Sequence, residues 1–404
     1  MSGIAYSRDD EKISKIKAAM RSEGIDVLIL RLPENVVYVS GYWPFFGVSY
    51  LVFPLDGEPC IITHQGEEEY ASKSWIRDVR PYSWETPEVM GNYLDAGANI
   101  LIDLLRDRGL DRRGVRVGVE ASVEFVACPY NRREAWGVGA PTIEMFRQKL
   151  KNAEIIDFTH TLYTLRSVKT EKEVSILRVV NELTDIGLES FYDALREGRT
   201  EAEVAGEVEY MVTAKGTGFK DIEKCIVTAF VMSGTRTAEA YKMFNNHTNK
   251  RIKRGEPVLL ELNVCADGYW SDTTRVYFVG KPEGEIRRVL EAVLAAQEAA
   301  ISQVKDGARA SDVCNVAFKQ IREKGYGGYI RHRLGHGIGT HLHEPIPALH
   351  VASPHILRKN MIHSIEPGVY ISGSYGIRIE DVIFVGSSGA EPLTKYPRLL
   401  PDEY

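Results

Sequence analysis

Hydrophobic and polar positions in roughly the first 160 residues follow two alternating periods. Residues 9–20 carry apolar side chains at helical spacing, and Gly24 marks the stop. The run Val27-Leu28-Ile29-Leu30 suits a short buried strand. Further strands are expected over 49–53 and 59–63, joined by the Asp56-Gly57 turn, and over 115–119 and 154–158. A helix over 93–108 lies between the two pairs. This mixture predicts a small α/β domain, assigned to residues 1–164.

Residues 165–404 carry a different order. Thr170-Glu171-Lys172-Glu173 fits a capping box, and Val174, Leu177 and Val180 give the helix it starts an inner face. Thr200 to Glu203 repeats the box for a second helix. Two β runs follow, 257–264 and 269–280, around Ala266-Asp267-Gly268. The order then recurs. Ile286, Val289, Val293, Ala296, Ala300 and Val304 form one helical face, a second helix runs from Ser311 to a Gly325 stop, and a hairpin pattern spans 361–385 around Ser372-Gly373-Ser374. Helix, helix, hairpin twice over predicts one α+β domain with an internal pseudo-repeat.

Composition changes this picture little. The chain of 404 residues is 44% hydrophobic and 26% charged, which suits two or three globular domains. A formal net charge of -6 argues against non-specific nucleic-acid binding, which needs a basic footprint. No stretch approaches the ~18 apolar residues of a membrane span, and the start lacks the layout of a secretory signal, so a cytoplasmic protein is expected. Five cysteines (Cys60, Cys128, Cys225, Cys265, Cys314) are scattered without a C-x-x-C pair and read as buried thiols.

Histidine is the uneven residue: seven of ten fall between His332 and His363, which directs attention to a site there. Carboxylates on the two hairpins give it chemistry. With a turn centred between Ala266 and Asp267, Glu261 and Asp272 face each other across the ladder, with Cβ atoms about 5 Å apart. Glu366 and Glu380 are likewise symmetric about Gly373. Facing carboxylates repel unless a proton or cation lies between them. A single such residue is as easily a solvated surface acid, but two pairs at equivalent places are harder to dismiss. A histidine added to four carboxylates suits Mn, Co, Fe or Zn, and such a cluster can hold two ions about 3.5–4 Å apart with a shared, acidified water. The glycines around His336 lack the spacing of a phosphate loop, and neither H-E-x-x-H nor G-x-S-x-G occurs.

Four ordered segments carry a family likeness: Gly268-Tyr269-Trp270-Ser271-Asp272-Thr273-Thr274-Arg275, Gly335-His336-Gly337-Ile338-Gly339 with His343 beyond it, Ser364-Ile365-Glu366-Pro367-Gly368, and Gly376-Ile377-Arg378-Ile379-Glu380-Asp381. Together they resemble the signature set of the creatinase, prolidase and methionine aminopeptidase family. The resemblance implies a pita-bread fold with a pseudo-twofold for the second domain and a creatinase- or prolidase-like first domain. It implies Glu261, Asp272, His336, Glu366 and Glu380 as ligands of two divalent ions (Mn, Co, Zn or Fe). By the same likeness His343 contacts the scissile carbonyl, Glu366 is the general base, and Arg378 matches an arginine of proline-specific members. His341, Tyr241, Phe244 and Phe46 become candidates for substrate binding. The implied chemistry is cleavage of a C–N bond in a small peptide or amino-acid-derived substrate by metal-activated water, in a homodimer without nucleic-acid or membrane partners.

The chain departs from the pattern at four places. Glu261-Leu262-Asn263 stands where the family has Asp-x-Gly. One extra methylene moves the carboxylate by roughly a bond length, against a tolerance of ~0.5 Å, so states with one ion or none stay open. Tyr241 or Phe244 falls where prolidase-like members carry a loop histidine, and His247 replaces it only if the loop is rearranged; otherwise it is an ordinary loop residue. Phe46-Gly47-Val48 and Thr274-Arg275 differ from the creatinase pattern, which argues against creatine. Phe46 either reaches a neighbouring subunit's pocket or joins Tyr42, Trp43 and Phe45 in the core. Three functions follow: an Xaa-Pro dipeptidase or aminopeptidase; a non-peptidase hydrolase or lyase acting on a small zwitterion, as in creatinase-like and osmolyte-degrading relatives; and a catalytically silent binding protein on the same fold. His332, His350, His355 and His363 are assigned to the structural background.

Overall fold

The computed structural model describes residues 6–46, 48–84, 91–122, 140–242 and 246–399. The chain forms two compact units, Met1–Arg166 and Ser167–Tyr404.

The first unit contains α1 (Asp10–Glu23), β1 (Val27–Leu30), α2 (Pro33–Ser40), β2 (Tyr50–Pro54), β3 (Cys60–His64), α3 (Glu68–Ser72), β4 (Asp78–Tyr82), α4 (Tyr93–Asp107), β5 (Arg116–Val119), α5 (Ala140–Lys149) and β6 (Glu154–Asp157), with α6 (Thr159–Ser167) at its end. The strands form one mixed sheet in the order β4-β3-β2-β1-β5-β6. Strand alternation explains its two covered faces. Val27, Ile29 and Val52 pack with Leu101, Leu105 and Phe146 on one side. Leu28, Leu30, Leu51 and Phe53 pack with Ile16, Met20, Val36 and Leu162 on the other. Tyr42 belongs to this second core, and its hydroxyl lies 2.9 Å from Thr63 Oγ1. Phe45 and Phe46 do not, being 62% and 53% exposed, so the core reading of the aromatic cluster fails for these two.

The second unit contains α7 (Glu171–Ala194), α8 (Glu201–Gly216), β7 (Cys225–Ser233), β8 (Pro257–Ala266), β9 (Tyr269–Phe278), α9 (Gly284–Gln303), α10 (Ala310–Glu323), β10 (Gly335–Gly337), β11 (Glu344–Leu349), β12 (Ile362–Ile365), β13 (Gly368–Ile371), β14 (Tyr375–Arg378), β15 (Asp381–Val385) and β16 (Ala390–Pro392). Both capping boxes are closed, with Thr170 and Thr200 each accepting from the backbone of the glutamate three residues on. The repeat is fuller than helix, helix, hairpin. An unanticipated strand precedes each hairpin, so that β7-β8-β9 in one sheet is echoed by β10-β12-β15 within a five-stranded sheet. Among the described residues no helix is long and apolar enough to cross a membrane.

The first hairpin turns one residue later than the centre expected for it. Asp267 and Gly268 both have positive φ, 46° and 86°, as a two-residue type I′ turn requires. Ala266 therefore pairs with Tyr269, and the register carries through to Glu261 opposite Thr274 and Asn263 opposite Asp272. The direct Glu261 and Asp272 pair is thereby corrected. Moving the centre by one residue moves each partner by two, so all four side chains keep one face. The second hairpin turns about Gly373 as expected: Gly368 pairs with Arg378 and Ile365 with Asp381, placing Glu366 and Glu380 symmetrically between the two ladders.

Candidate metal centre

The two hairpins of the second unit meet edge to edge at Thr274. Glu380 N donates to the Thr274 carbonyl at 3.0 Å. The fully buried Arg275 donates to the Glu380 carbonyl at 2.6 Å and pairs with Asp381 at 2.7 Å. These bonds bring the carboxylate of Glu380 over the face that carries Glu261, Asn263 and Asp272.

His336 arrives from β10, between β11 and β12. The glycines beside it are there for closeness: a Cβ at Gly335 would collide with the Ser364 carbonyl, and one at Gly337 with the Ile346 carbonyl. The Nδ1 of His336 lies 2.9 Å from the Gly337 carbonyl, which fixes the proton there and leaves Nε2 a lone pair. That lone pair faces Asp272 Oδ2 at 3.5 Å and Glu366 Oε1 at 3.6 Å. Three acceptors pointed at one another require a proton or a cation. Burial disfavours the imidazolium, yet Asp272 and Glu366 outweigh it and hold His336 above its ordinary value.

Two groups of side chains with ligand atoms within 4.8 Å of one another share His336: Asp272, His336 and His343, and His336, Glu366 and Glu380. The Oε2 of Glu380 accepts from Thr274 Oγ1 at 2.8 Å, while its Oε1 is buried without a hydrogen-bond partner. Burial, then the charges of Asp272 and Glu366, push this carboxyl well above the usual range. A bare buried carboxylate oxygen among acids and an imidazole lone pair is a donor set that fits a divalent cation.

Glu261 stands in neither group. Its Oε2 accepts from Arg378 Nη2 at 2.7 Å. Arg378 is held in turn by Thr274 Oγ1 at 2.9 Å from Nε and by the Tyr370 hydroxyl at 3.2 Å from Nη1. The Tyr370 hydroxyl also meets His332 Nε2 at 2.8 Å, and His332 Nδ1 lies 3.8 Å from Glu366 Oε2. His332 thus belongs beside the site, not to the background assigned from sequence. Burial, with Arg378 adding to it against the charge of Glu366, keeps its imidazole below the ordinary value and therefore neutral.

The remaining expectations divide. Tyr241 packs edge-on against Tyr370, with centroids 5.2 Å apart, next to the Arg378 network. His341 is half-buried between β10 and β11, its N–H donating to Glu344 Oε1 at 3.2 Å. His247 turns Nδ1 to the Ala229 carbonyl at 3.2 Å and is in neither ligand group. Phe46 lies in the first unit against His64 and Trp84, with centroids 5.0 and 5.5 Å away. Phe244 and Cys128 fall outside the described residues. The other four cysteines are free, and three of them are buried. His363 is buried and pushed down to about 4, mainly by burial, and His350 and His355 accept from nearby backbone N–H groups. Sequence reasoning missed Asn263, Thr274, Tyr370 and His332; Thr274 lay inside a quoted motif, and Asn263 only two residues from Glu261.

Comparison with known proteins places this geometry. Residues 175–387 match metallopeptidase family M24, and residues 12–168 match the creatinase/prolidase N-terminal domain. The chain is 30% identical to the Xaa-Pro dipeptidase of Pyrococcus furiosus, covering 96% of this chain and 99% of that protein. It is 35% identical to an uncharacterised peptidase of Staphylococcus aureus over 96% and 99% of the two chains. The prolidase of Pyrococcus horikoshii has a similar structure, with a TM-score of 0.79 at 29% identity over 96% of this chain and 99% of that one. With the family model spanning more than half of the chain and the relatives nearly all of it, the protein belongs to metallopeptidase family M24, with the creatinase/prolidase N-terminal domain before it.

Proposed function

We propose that this chain is a metal-dependent peptidase of Xaa-Pro substrates, a dipeptidase or aminopeptidase. The observation that carries the reading is the convergence of two ligand groups on His336, in a fold shared along 96% of the chain with a prolidase. Asp272, His336, Glu366 and Glu380 would hold a divalent ion of the Mn, Co, Fe or Zn type. When bound, it supplies Lewis acidity that polarises a peptide carbonyl and acidifies water.

The chain's own residues do the rest. Glu366 is the most accessible of the clustered carboxylates, its side chain 14% exposed against 5% for Asp272, and accepts the proton of the attacking water. His343, whose ring centroid lies 4.4 Å from that of His336, donates to the carbonyl oxygen as charge develops on it. Arg378 provides a fixed positive charge beside the reacting centre, oriented by Thr274, Tyr370 and Glu261. Tyr241 lines the approach on the Tyr370 side. The relatives described above carry peptidase names, so the small-zwitterion and silent-binder readings gain no support from them.

The test is a substrate panel on protein stripped with chelator and reloaded with Mn²⁺ or Co²⁺. Xaa-Pro dipeptides, longer Xaa-Pro peptides, Xaa-Ala controls and small N-alkyl or amidino acids are compared. Proline peptides should turn over only after reloading, and the preferred length separates dipeptidase from aminopeptidase. Silence on every proline peptide, with turnover of a small zwitterion, would overturn the reading.

A further inference from the structure

We infer that this site is built for a single divalent ion, and that Arg378 and Asn263 occupy the donors a second ion would need. The inference rests on the proposed metallopeptidase reading and sharpens it. One ion beside His336 can draw on either of the two groups that share it, Asp272 with His343 or Glu366 with Glu380, each supplying three ligand atoms. Three or four protein ligands and an open position are what a catalytic ion takes.

A second ion seated on the first hairpin would have to draw on Glu261 and the Oδ1 of Asp272. Both already receive donors. Glu261 Oε2 accepts from the guanidinium of Arg378 at 2.7 Å, and Asp272 Oδ1 accepts from the side-chain amide of Asn263 at 2.5 Å. An N–H aimed at a carboxylate oxygen takes one of its two lone pairs and draws the group towards the donor, and the positive guanidinium repels a cation brought alongside it.

The arrangement is held rather than incidental. The type I′ turn sets Asn263 directly opposite Asp272 and Glu261 opposite Thr274. Thr274 then accepts from Arg378 Nε while donating to Glu380, and the Ala240 carbonyl and Tyr370 hydroxyl hold Arg378 Nη1 at 3.4 and 3.2 Å. Arg378 is only 5% exposed, so its charge needs a close carboxylate, and the half-buried Glu261 is the one that meets it. The longer glutamate arm reaches the guanidinium, and the asparagine brings an amide that glycine lacks.

The experiment is metal stoichiometry with a spectroscopic check. Full-length protein is stripped with chelator, reloaded with excess Mn²⁺, freed of unbound metal by gel filtration and assayed by elemental analysis and electron paramagnetic resonance. One ion per chain and the hyperfine sextet of an isolated Mn²⁺ are expected. The double variant Glu261→Asp, Asn263→Gly, verified as folded by circular dichroism, should take up a second ion and show an exchange-coupled spectrum. Two ions in the unsubstituted protein would overturn the inference and leave the peptidase reading standing. No bound ion would overturn both. A folded double variant that stays at one ion would show that Glu261 and Asn263 do not close the second position.

Discussion

At the scale of single residues, the Gly337 carbonyl and the carboxylates around His336 divide the work between two histidines. His336 presents a lone pair to Asp272 and Glu366, and its other nitrogen is committed to the backbone. His343 shares a group with Asp272 and His336 but is half-buried, which leaves it able to face a substrate. His336→Ala should therefore abolish ion binding and turnover together. His343→Ala should retain the ion and lower kcat about 10²-fold or more, with a smaller change in KM, as removal of an oxyanion donor does. Calorimetric metal titration beside steady-state kinetics separates the two outcomes. Loss of the ion in His343→Ala would make that residue a ligand instead of an electrostatic partner.

At the scale of elements, α2 shows how a buried acid can set a helix and a pH response. The carboxylate of Glu120, just after β5, accepts from the N–H groups of Arg31 and Leu32 and from Asn35 Nδ2, at 2.8, 3.1 and 2.8 Å. Burial pushes its carboxyl up to about 7, against the hydrogen bonds from Asn35 and Arg31 and with the charge of Glu34 adding to the rise. Between the ordinary 4.5 and about 7 the folded chain holds a proton that the unfolded chain has released, so stability falls as pH rises through this window. The shift corresponds to roughly 3 kcal/mol at ~1.4 kcal/mol per unit. Glu120→Ala should lose about 1–3 kcal/mol at pH 5 through three orphaned donors, and that deficit should shrink by pH 8. Urea unfolding of both proteins at the two pH values reads it; a deficit independent of pH would show that Glu120 does not titrate in this window. What could be read from sequence at this scale follows the range of the interactions. The capping boxes at Thr170 and Thr200 and the stop at Gly24 are local, so short spacing reveals them. β7 escaped because 225–233 has no clean alternation, five of its nine residues being half-buried. The Glu261 and Asp272 pairing failed because one turn residue decides a whole ladder. His332 and Tyr370, 38 residues apart, could not be joined at all before the fold brought them to 2.8 Å.

At the scale of the whole second unit, the repeat matters because neither hairpin holds a complete ligand set. Asp272 comes from the first, Glu366 and Glu380 from the second, and His336 from β10, so their spacing depends on the seam between the hairpins. The seam is polar and buried: Arg275 is 0% exposed, Asp381 is 1% exposed, and the guanidinium also grips the Glu380 and Tyr396 carbonyls at 2.6 and 3.0 Å. Removing one partner of such a pair leaves an uncompensated buried charge, at a cost of ~3–5 kcal/mol, whereas replacing both with apolar groups of similar volume is often close to neutral. Asp381 keeps a second partner in Arg398 Nε at 2.6 Å, so Arg275→Met should destabilise by only about 1–3 kcal/mol, and Arg275→Met with Asp381→Leu should recover part of that, as urea unfolding would report. Ion affinity should behave differently. Both variants lack the bond from Arg275 to the Glu380 backbone, so both should bind Mn²⁺ more weakly, by about tenfold or more if one charge-assisted hydrogen bond of ~1.5–3 kcal/mol is lost from the ligand's support. Recovery of stability without recovery of ion affinity would locate the role of Arg275 in holding Glu380 against the first hairpin. Recovery of both would reduce it to one more buried ion pair.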